Sequence, residues 1–144
     1  MPFNTIVYES DHYVTDWKKV SLRKWLNTHF YQKSFSENDK DKILLSEITA
    51  DQKIGQFAQD KIFILSKKEI LKYYDNFYKR KCVGTPYCFN KATWKTDEND
   101  IVGYWLCSFG GDNNLVACVS LGGDISSSDV GDCLSVRPAM WIKI

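Results

Sequence analysis

The last part of the chain, residues 104–144, most constrains the fold, because it consists of short apolar runs separated by turn residues. The runs "YWLC", "LVACVSL" and "VRPAMWIKI" are typical of strands, and the "GGD" between the second and third runs is a turn signal. Strands joined by short turns pair antiparallel. We therefore predict antiparallel strands at Cys107, at 115–121 and at 136–142. Pro138 has no amide hydrogen, so the last strand should be bulged or at an edge there.

The first part of the chain has helical patterns instead. In "SLRKWLNTHF", apolar residues recur at Leu22, Trp25, Leu26 and Phe30, which predicts a helix with one buried face and Ser21 as its N-cap.

Three further segments carry signals for the start of a helix. "KIFILSKKEILKYY" predicts a strand over 61–65 followed by a helix, because Ser66 and Glu69 have the spacing of a capping box. Ser36, followed by acidic residues, is a second predicted N-cap, and Thr85 before a proline is a third. Helices first and an antiparallel sheet afterwards predict an α+β fold.

Length and charge limit the classes of function. A chain of 144 residues with 44% hydrophobic content can bury one substantial core, so we predict a single domain over 1–144. The net charge of +1 favours neither nucleic acid nor acidic membranes as a partner. Five cysteines without a C-x-x-C pair, and only two histidines, predict neither a metal site nor a cofactor. With no signal peptide and no apolar run of membrane-spanning length, we expect no membrane insertion.

The segment 107–135 has an unusual composition. It contains no Lys, Arg, Glu, Gln, Met or Trp, although the whole chain has 19 Lys and Arg residues. Its charged side chains are four aspartates, so it carries a charge of −4 inside a chain whose net charge is +1. Turn-rich β segments also disfavour Lys and Glu, so propensity is one explanation of this composition.

A resemblance to a known family offers a second explanation. "YWLCSFG", then "VACV", a glycine turn and "SVRPAMWIKI" resemble the pattern W-W-L-R-S-P-G, A-A-x-V and G-V-R-P-A-L-W of an uncharacterised bacterial and phage domain family. The earlier blocks "SLRKWLN", "FYQKSFS" and "KIFILSKKEILKYY" are similar as well, so the resemblance covers nearly the whole chain. It implies a C-type-lectin-like fold, related to formylglycine-generating-enzyme-like domains and to the variable proteins of diversity-generating retroelements.

The departures from that pattern lie at the edges of the unusual segment. Cys107, Phe109 and Ser135 stand where the family pattern has Arg, Pro and Gly. Such exchanges beside a retained framework favour a surface that is free to vary.

Codon usage connects the resemblance with the composition. Diversity-generating retroelements randomise template adenines, and an A-A-pyrimidine codon treated in this way never encodes Lys, Glu, Gln, Met or Trp. None of those five residue types occurs in 107–135. We therefore predict that this segment displays variable side chains in one exposed patch, formed by Phe109, Asp112, Asn113, Asn114, Cys118, Ser120, Asp124, Ser126, Ser128, Asp129, Asp132 and Cys133.

The predicted function is recognition of a protein or glycan target on a cell surface, by a phage or bacterial surface protein. Phe109 would be an apolar anchor, and the aspartates would favour a basic target. The chain could act as a homo-oligomer or as part of a larger chain. The alternatives are an enzyme of the formylglycine-generating type, which needs a cysteine beside a base or metal, and a lectin of fixed specificity. Asp112 and its two following asparagines could supply calcium ligands, but the short calcium-dependent sugar-binding motifs of lectins are absent.

The residues around the segment are predicted to be scaffold. Trp105, Arg137 and Trp141 could clamp a ligand, but their position at both ends of the segment favours a role in holding the strands. We predict that a set of large apolar residues is mostly buried, namely Trp25, Leu26, Phe63, Leu65, Trp105, Leu106 and Trp141.

Overall fold

A computed structural model describes residues 1–3, 16–48, 58–92, 94–96, 99–111 and 114–144. Its elements are short helices in the first two thirds of the chain and antiparallel strands, the longest of which lie between residues 104 and 129. The predicted α+β class is confirmed at this level. No helix in these ranges is long and apolar enough to cross a membrane.

The first helical unit follows the predicted apolar stripe. It consists of α1 (Ser21–Trp25), a π-helical turn (Leu26–Phe30) and α2 (Tyr31–Ser34). Leu22 and Leu26 are fully buried. The predicted N-cap was one residue off, because Val20 occupies the cap position and Ser21 is already helical.

A single side chain in the π-helical turn makes hydrogen bonds to the main chain of residues 61 and 62. Asn27 accepts hydrogen bonds from the main-chain N–H of Lys61 (2.9 Å) and Ile62 (3.1 Å), and its amide donates to the carbonyl of Ile62 (2.7 Å). A side chain therefore satisfies backbone groups that a neighbouring strand would otherwise pair.

This arrangement corrects the predicted strand over 61–65. The strand β2 (Ala58–Asp60) ends before that segment and pairs antiparallel with β1 (Ser46–Ile48). Within 61–65, the only bridge is the one between Phe63 and Ala139. The apolar pattern identified the burial of this segment, since residues 62–64 are buried, but not its hydrogen bonds.

The other three predicted caps are confirmed. Ser66 and Glu69 form the capping box that begins α4 (Lys67–Tyr73). Ser36 caps α3 (Glu37–Lys40), and Thr85 caps α6 (Pro86–Lys91). Between α4 and α6 lies α5 (Phe77–Arg80). Asn76 caps this helix, which the sequence did not predict.

Two sheets occupy the second half of the chain. In the smaller one, β5 (Ile101–Val102) lies between β3 (Cys82–Val83) and β4 (Lys95–Thr96), and both pairings are antiparallel. In the larger one, β7 (Leu115–Val119) lies between β6 (Tyr104–Phe109) and β8 (Ile125–Asp129), again antiparallel. The strands predicted at Cys107 and within 115–121 are thus confirmed.

The predicted strand over 136–142 is wrong. This segment makes isolated bridges, from Ala139 to Phe63 and from Ile142 to Ile43, instead of a continuous ladder. Pro138 comes directly before the first of these contacts and, as proline, donates no hydrogen bond to a ladder. Trp141 is 51% exposed, so its predicted burial is wrong too.

The larger sheet is covered on both faces by apolar side chains. Trp105, Cys107, Val116 and Cys118 point into a cluster that also contains Leu22, Leu26 and Phe63. Tyr104, Leu106, Ala117 and Val119 point the other way, against Ile70 of α4. Of the other residues predicted to be buried, Leu26, Phe63, Trp105 and Leu106 are buried, while Trp25 and Leu65 are partly buried at the edge of the clusters.

One buried carboxylate joins the helical unit to β2. Asp60 accepts hydrogen bonds from Trp17 Nε1 (2.8 Å) and Arg23 Nε (2.7 Å). Its side chain has no exposed surface. Burial raises the pKa of the Asp60 carboxyl, and this effect outweighs the hydrogen bonds and the charge of Arg23, which lower it.

The turn between β7 and β8 requires a glycine. Gly123 has a φ of +88°, and a Cβ atom there would lie 1.9 Å from the carbonyl oxygen of Phe77 in α5. Neither a rotamer change nor a small shift relieves a clash with the main chain. The turn is therefore in direct contact with the end of α5, and Gly123 O also accepts a hydrogen bond from Arg80 Nε (2.7 Å).

We expect Gly123→Ala to lower the free energy of unfolding by at least about 3 kcal/mol, because left-handed strain and a main-chain clash add together. Urea unfolding measures this change. Gly122→Ala in the same turn is the matched control. Its Cβ would meet two side-chain oxygens and no main-chain atom, Asp124 Oδ2 at 3.0 Å and Ser120 Oγ at 3.7 Å, so a change below about 0.5 kcal/mol is expected. Equal losses in both variants would contradict the proposed contact.

Asp60 should make a pH-dependent contribution of unusual sign. Between the ordinary pKa of 3.8 and its raised value, folded Asp60 holds a proton that the unfolded chain has lost. Its contribution to stability is therefore greatest in acid and declines as pH rises through that window.

The difference in unfolding free energy between the parent and Asp60→Asn measures this contribution from about pH 3 to pH 7. Asp75→Asn is a control of opposite sign, because hydrogen bonding to Lys79 lowers the pKa of Asp75. The parent should lose stability relative to Asp60→Asn as pH rises, and gain it relative to Asp75→Asn. The same slope in both comparisons would contradict this assignment.

Candidate functional site

Those predicted binding residues that the structure describes lie on or beside the larger sheet, but they do not share one face. Directly paired residues of β7 and β8 point to the same side, so Ser126 lies beside Cys118 and Ser128 beside Val116. That face packs on the cluster of Trp105. Asp129 pairs with Leu115 and therefore belongs to the opposite face.

Two of the predicted exposed residues are buried. Cys118 is 0% exposed and Ser128 is 4% exposed. The alternation of side chains along their strands points both of them inward. The three successive serines of "ISSSD" show no such alternation in sequence, so they gave no sign of this for Ser128. They are corrected from variable surface positions to core positions.

A first group of predicted residues meets where β7 begins and β8 ends. Asn114 donates a hydrogen bond from its side chain to Asp129 Oδ2 (2.8 Å), and its carbonyl accepts one from Val130 N (3.0 Å). Asp132 continues the same group, since its N–H donates to Asp129 O (2.9 Å) and its carboxylate accepts from Ser128 Oγ. We call Asn114, Asp129, Asp132 and Cys133 the loop end of the sheet; all four are partly exposed.

A second group lies at the opposite end of the same strands. Ser120 and Asp124 close the turn between β7 and β8, with Ser120 N donating to Asp124 O (2.8 Å) and Asp124 N to Ser120 Oγ (3.2 Å). Ser126 is exposed on β8 near this turn. The predicted patch is therefore divided between two ends of the sheet, and the prediction of one contiguous exposed surface is wrong.

Three predicted residues are not placed by these contacts. Asp112 and Asn113 lie outside the described residues, so the calcium alternative that uses them lies outside as well. Phe109 is the last residue of β6, where it pairs with Val116, but its side chain is not among those described.

The cysteines have the environment of core residues. Burial, together with a smaller contribution from the charge of Asp132, raises the pKa of Cys118 to about 12. Burial also raises the pKa of Cys82, against the opposing charge of Arg137. A nucleophilic cysteine requires a lowered pKa, so these two thiols have the shift opposite to the one that an enzyme would need. Within the described ranges, no group of three or more His, Cys, Asp or Glu side chains could hold a metal ion.

A cluster that the sequence analysis missed surrounds Arg137. Its guanidinium donates hydrogen bonds to the hydroxyls of Tyr104 and Tyr74, each at 3.1 Å. It also lies over both rings, with Cζ 4.8 Å from the Tyr74 centroid and 5.4 Å from that of Tyr104. Tyr104 in turn donates to the carbonyl of Arg80 (2.7 Å), whose side chain reaches Tyr74 O (3.1 Å).

The position of this cluster explains why it was missed. The position of Arg137 at one end of the segment 107–135 predicts a scaffold role, yet its partners are tyrosines 33 and 63 residues away. Trp105 is indeed scaffold, since it is fully buried, and Trp141 is exposed. The only signal in the sequence was an arginine flanking a segment that has no cation of its own.

Comparisons with known proteins give one match. A family model described as "Domain of unknown function (DUF6273)" matches residues 3–144. No curated protein and no solved structure matches the chain.

We expect Cys118 to resist alkylation in the folded protein, because its thiol is buried and its pKa of about 12 leaves almost no thiolate at pH 8. Iodoacetamide labelling followed by peptide mass spectrometry measures this resistance. Cys133, which is partly exposed, is the internal control, and both should react in urea. Equal labelling of Cys118 and Cys133 in the folded state would contradict the core assignment.

Proposed function

Because the chain belongs to the DUF6273 family, whose function is unknown, we propose its function from its own sequence and geometry. The chain is a ligand-recognition module that displays side chains of the segment 107–135 on a rigid sheet, towards a protein or glycan target on a cell surface. The observation that carries this proposal is that the segment without Lys, Glu, Gln, Met or Trp includes β7, β8 and the loops at both ends of a sheet that is buried on both faces.

The burial of the strands separates framework from display. Val116, Ala117, Cys118 and Val119 are all at most 2% exposed, so their side chains are tied to packing. The residues of the loop end are partly exposed and hold their backbones by hydrogen bonds between the two strands. A surface on a rigid framework loses little conformational entropy when it binds, and its side chains can change without refolding the domain.

We propose the loop end as the binding surface. Asn114, Asp129, Asp132 and Cys133 gather there, and Phe109, Asp112 and Asn113 precede Asn114 in the chain. The turn with Ser120 and Asp124 lies at the other end, where Gly123 is packed against Phe77. A turn with this close main-chain contact is a poorer place for tolerated variation.

Charge indicates the kind of target. The loop end carries Asp129 and Asp132, Asp112 comes two positions before Asn114 in the sequence, and the whole segment has no basic residue. Complementary charge steers association and disfavours partners of the same sign. A basic surface on the target is therefore part of the proposal, as is a salt-dependent association rate.

The resemblance to variable proteins of diversity-generating retroelements supplies the remaining parts of the proposal. These are a C-type-lectin-like fold, diversification of 107–135 through template adenines, and display on a phage or bacterial surface. The alternative of a formylglycine-generating type of enzyme is less well supported, because the thiols of Cys118 and Cys82 have raised pKa values.

A substitution scan tests the division between framework and display. We expect most replacements at Asn114, Asp129, Asp132 and Cys133 to cost less than about 1 kcal/mol, and polar replacements at 116–119 to cost about 2 to 5 kcal/mol. Protease resistance of a displayed library measures all positions at once. Similar intolerance at both sets would overturn the assignment of the loop end as a variable surface.

The genome tests the diversification. We expect a reverse-transcriptase gene near the gene for this chain, with a template repeat that matches the codons of 107–135 and differs from them at adenines. Sequencing of the neighbourhood decides this directly. A neighbourhood without such a repeat would contradict diversification while leaving fixed-specificity binding at the loop end open to the scan.

A further inference from the structure

The Arg137 cluster contains a partly buried positive charge without a negative partner among the described residues. Its two hydrogen bonds go to tyrosine hydroxyls, which are neutral, and the rest of its contact is with the two ring faces. Burial opposes the charge, but the oxygens of Tyr104 and Tyr74 outweigh that effect and raise the pKa of Arg137, so the guanidinium stays charged. A desolvated charge is costly unless an opposite charge accompanies it.

We propose that Arg137 and Tyr74 form a binding site for a small oxyanion, which is a phosphate or a carboxylate group. The guanidinium carries five N–H donors in a planar fork that matches both groups. Its Nε has no hydrogen-bond partner among the described residues, so part of the fork is available. The hydroxyl of Tyr74 accepts from Arg137 and keeps its own hydrogen to donate to the same anion.

The surroundings of Arg137 favour a negative ligand. Residues 66–95 contain eight Lys and Arg side chains and only two acidic ones, Glu69 and Asp75. Arg80 belongs to this segment and is tied to the cluster through Tyr104 and Tyr74. The small net charge of the whole chain hides this excess, because the aspartates of 107–135 offset it.

The proposed oxyanion site is separate from the loop end. Tyr104 begins β6 and pairs with Val119 at the last position of β7, next to the turn. Arg80 contacts that turn at Gly123 O (2.7 Å). The oxyanion site thus lies at the turn end of the sheet, and its existence does not depend on the proposed function of the loop end.

The rigidity of the cluster supports binding over a purely structural role. Tyr104 is 1% exposed and holds one side of the guanidinium, while Tyr74 and Arg137 are only partly buried. A site with one fixed wall and one open side orients its donors before the ligand arrives, which lowers the entropy lost on binding.

Titration with inorganic phosphate at constant ionic strength tests the proposal, and sodium acetate provides the parallel carboxylate arm. The readouts are the NMR signal of the Arg137 Nε–H group and the melting temperature. We expect a saturable shift of that signal and a rise in melting temperature with at least one of the two anions. Saturation with phosphate alone, with acetate alone or with both supports the proposal and identifies the group. No saturable shift with either anion overturns it.

Two variants and a control separate the site from general electrostatics. Arg137→Gln should weaken anion binding by at least about tenfold, because it removes the charge and the fork. Tyr74→Phe keeps the ring and loses the hydroxyl, so we expect about threefold weaker binding and an unchanged fold. Lys79→Gln removes one positive charge from the same basic segment, at a side chain that is 59% exposed, and should have less than about twofold effect.

The variants can overturn the proposal in two ways. If Lys79→Gln weakens binding as much as Arg137→Gln does, the anion responds to diffuse charge and not to a site. If Arg137→Gln does not fold, Tyr74→Phe decides, and unchanged affinity in that variant overturns the proposal. Neither result affects the substitution scan of the loop end, so failure of one proposal is distinguishable from failure of the other.

Discussion

The burial of the β6–β7–β8 sheet on both of its faces is the constraint on which the rest of the structure depends. Trp105 is its centre. Its main-chain N–H donates to Ser135 O (3.1 Å), its indole N–H donates to Met1 O (2.9 Å), and its ring meets the ring of Phe3 at a centroid distance of 5.5 Å. One residue therefore joins the sheet to the segments that precede and follow it, through its side chain on one side and its main chain on the other. Because the side chains at 104–108 and 116–119 are buried, they cannot vary freely, and the exposed positions lie at the ends of the sheet and on β8, where Ser126 is exposed.

The two ends of this sheet differ in charge and in the way they are held. The loop end has aspartates, and its strands are joined by the Asn114–Asp129 hydrogen bond (2.8 Å). The turn end is packed on α5 and lies beside two guanidinium groups, Arg80 and Arg137. Negative and positive partners would therefore approach opposite ends of the same rigid element. Such separation allows one ligand to bind without blocking the other, since the sheet between them carries the framework.

Side-chain hydrogen bonds replace regular pairing at several points of this small domain. Asn27 accepts hydrogen bonds from the main-chain N–H groups of Lys61 and Ile62. Asp60 accepts hydrogen bonds from the side chains of Trp17 and Arg23. These contacts connect elements that are short and that could not bury a complete hydrophobic face by themselves. The Asp60 carboxyl is buried and its pKa is raised, so the junction of the helical unit with β2 responds to pH.

The sequence by itself determined the local structure wherever one residue type in one place was sufficient. Ser66 with Glu69, Ser36 and Thr85 each begin a helix at the predicted position, because a cap needs only a side-chain oxygen and the next turn of backbone. The α+β class and the strand over 115–119 followed from periodicity and turns in the same way. Longer-range features did not follow. Residues 61–65 and 136–142 are as apolar as strands, but neither forms a continuous ladder. The backbone of the first segment bonds to the side chain of Asn27, and both segments make isolated bridges.

Only the tertiary structure decided which candidate residues belong together. The serines of β8 look alike in sequence, yet Ser128 is 4% exposed and Ser126 is exposed, because packing against the cluster of Trp105 varies along one face. Strand pairing brought Asn114 to Asp129, fifteen positions away, and tertiary packing outside the strands brought Arg137 to Tyr74, sixty-three positions away. Composition identified the segment 107–135, which we propose to be variable, because codons and charge are properties of single positions. Which of its side chains reach the surface, and which cations face them, depends on contacts between distant residues, and no local pattern encodes those.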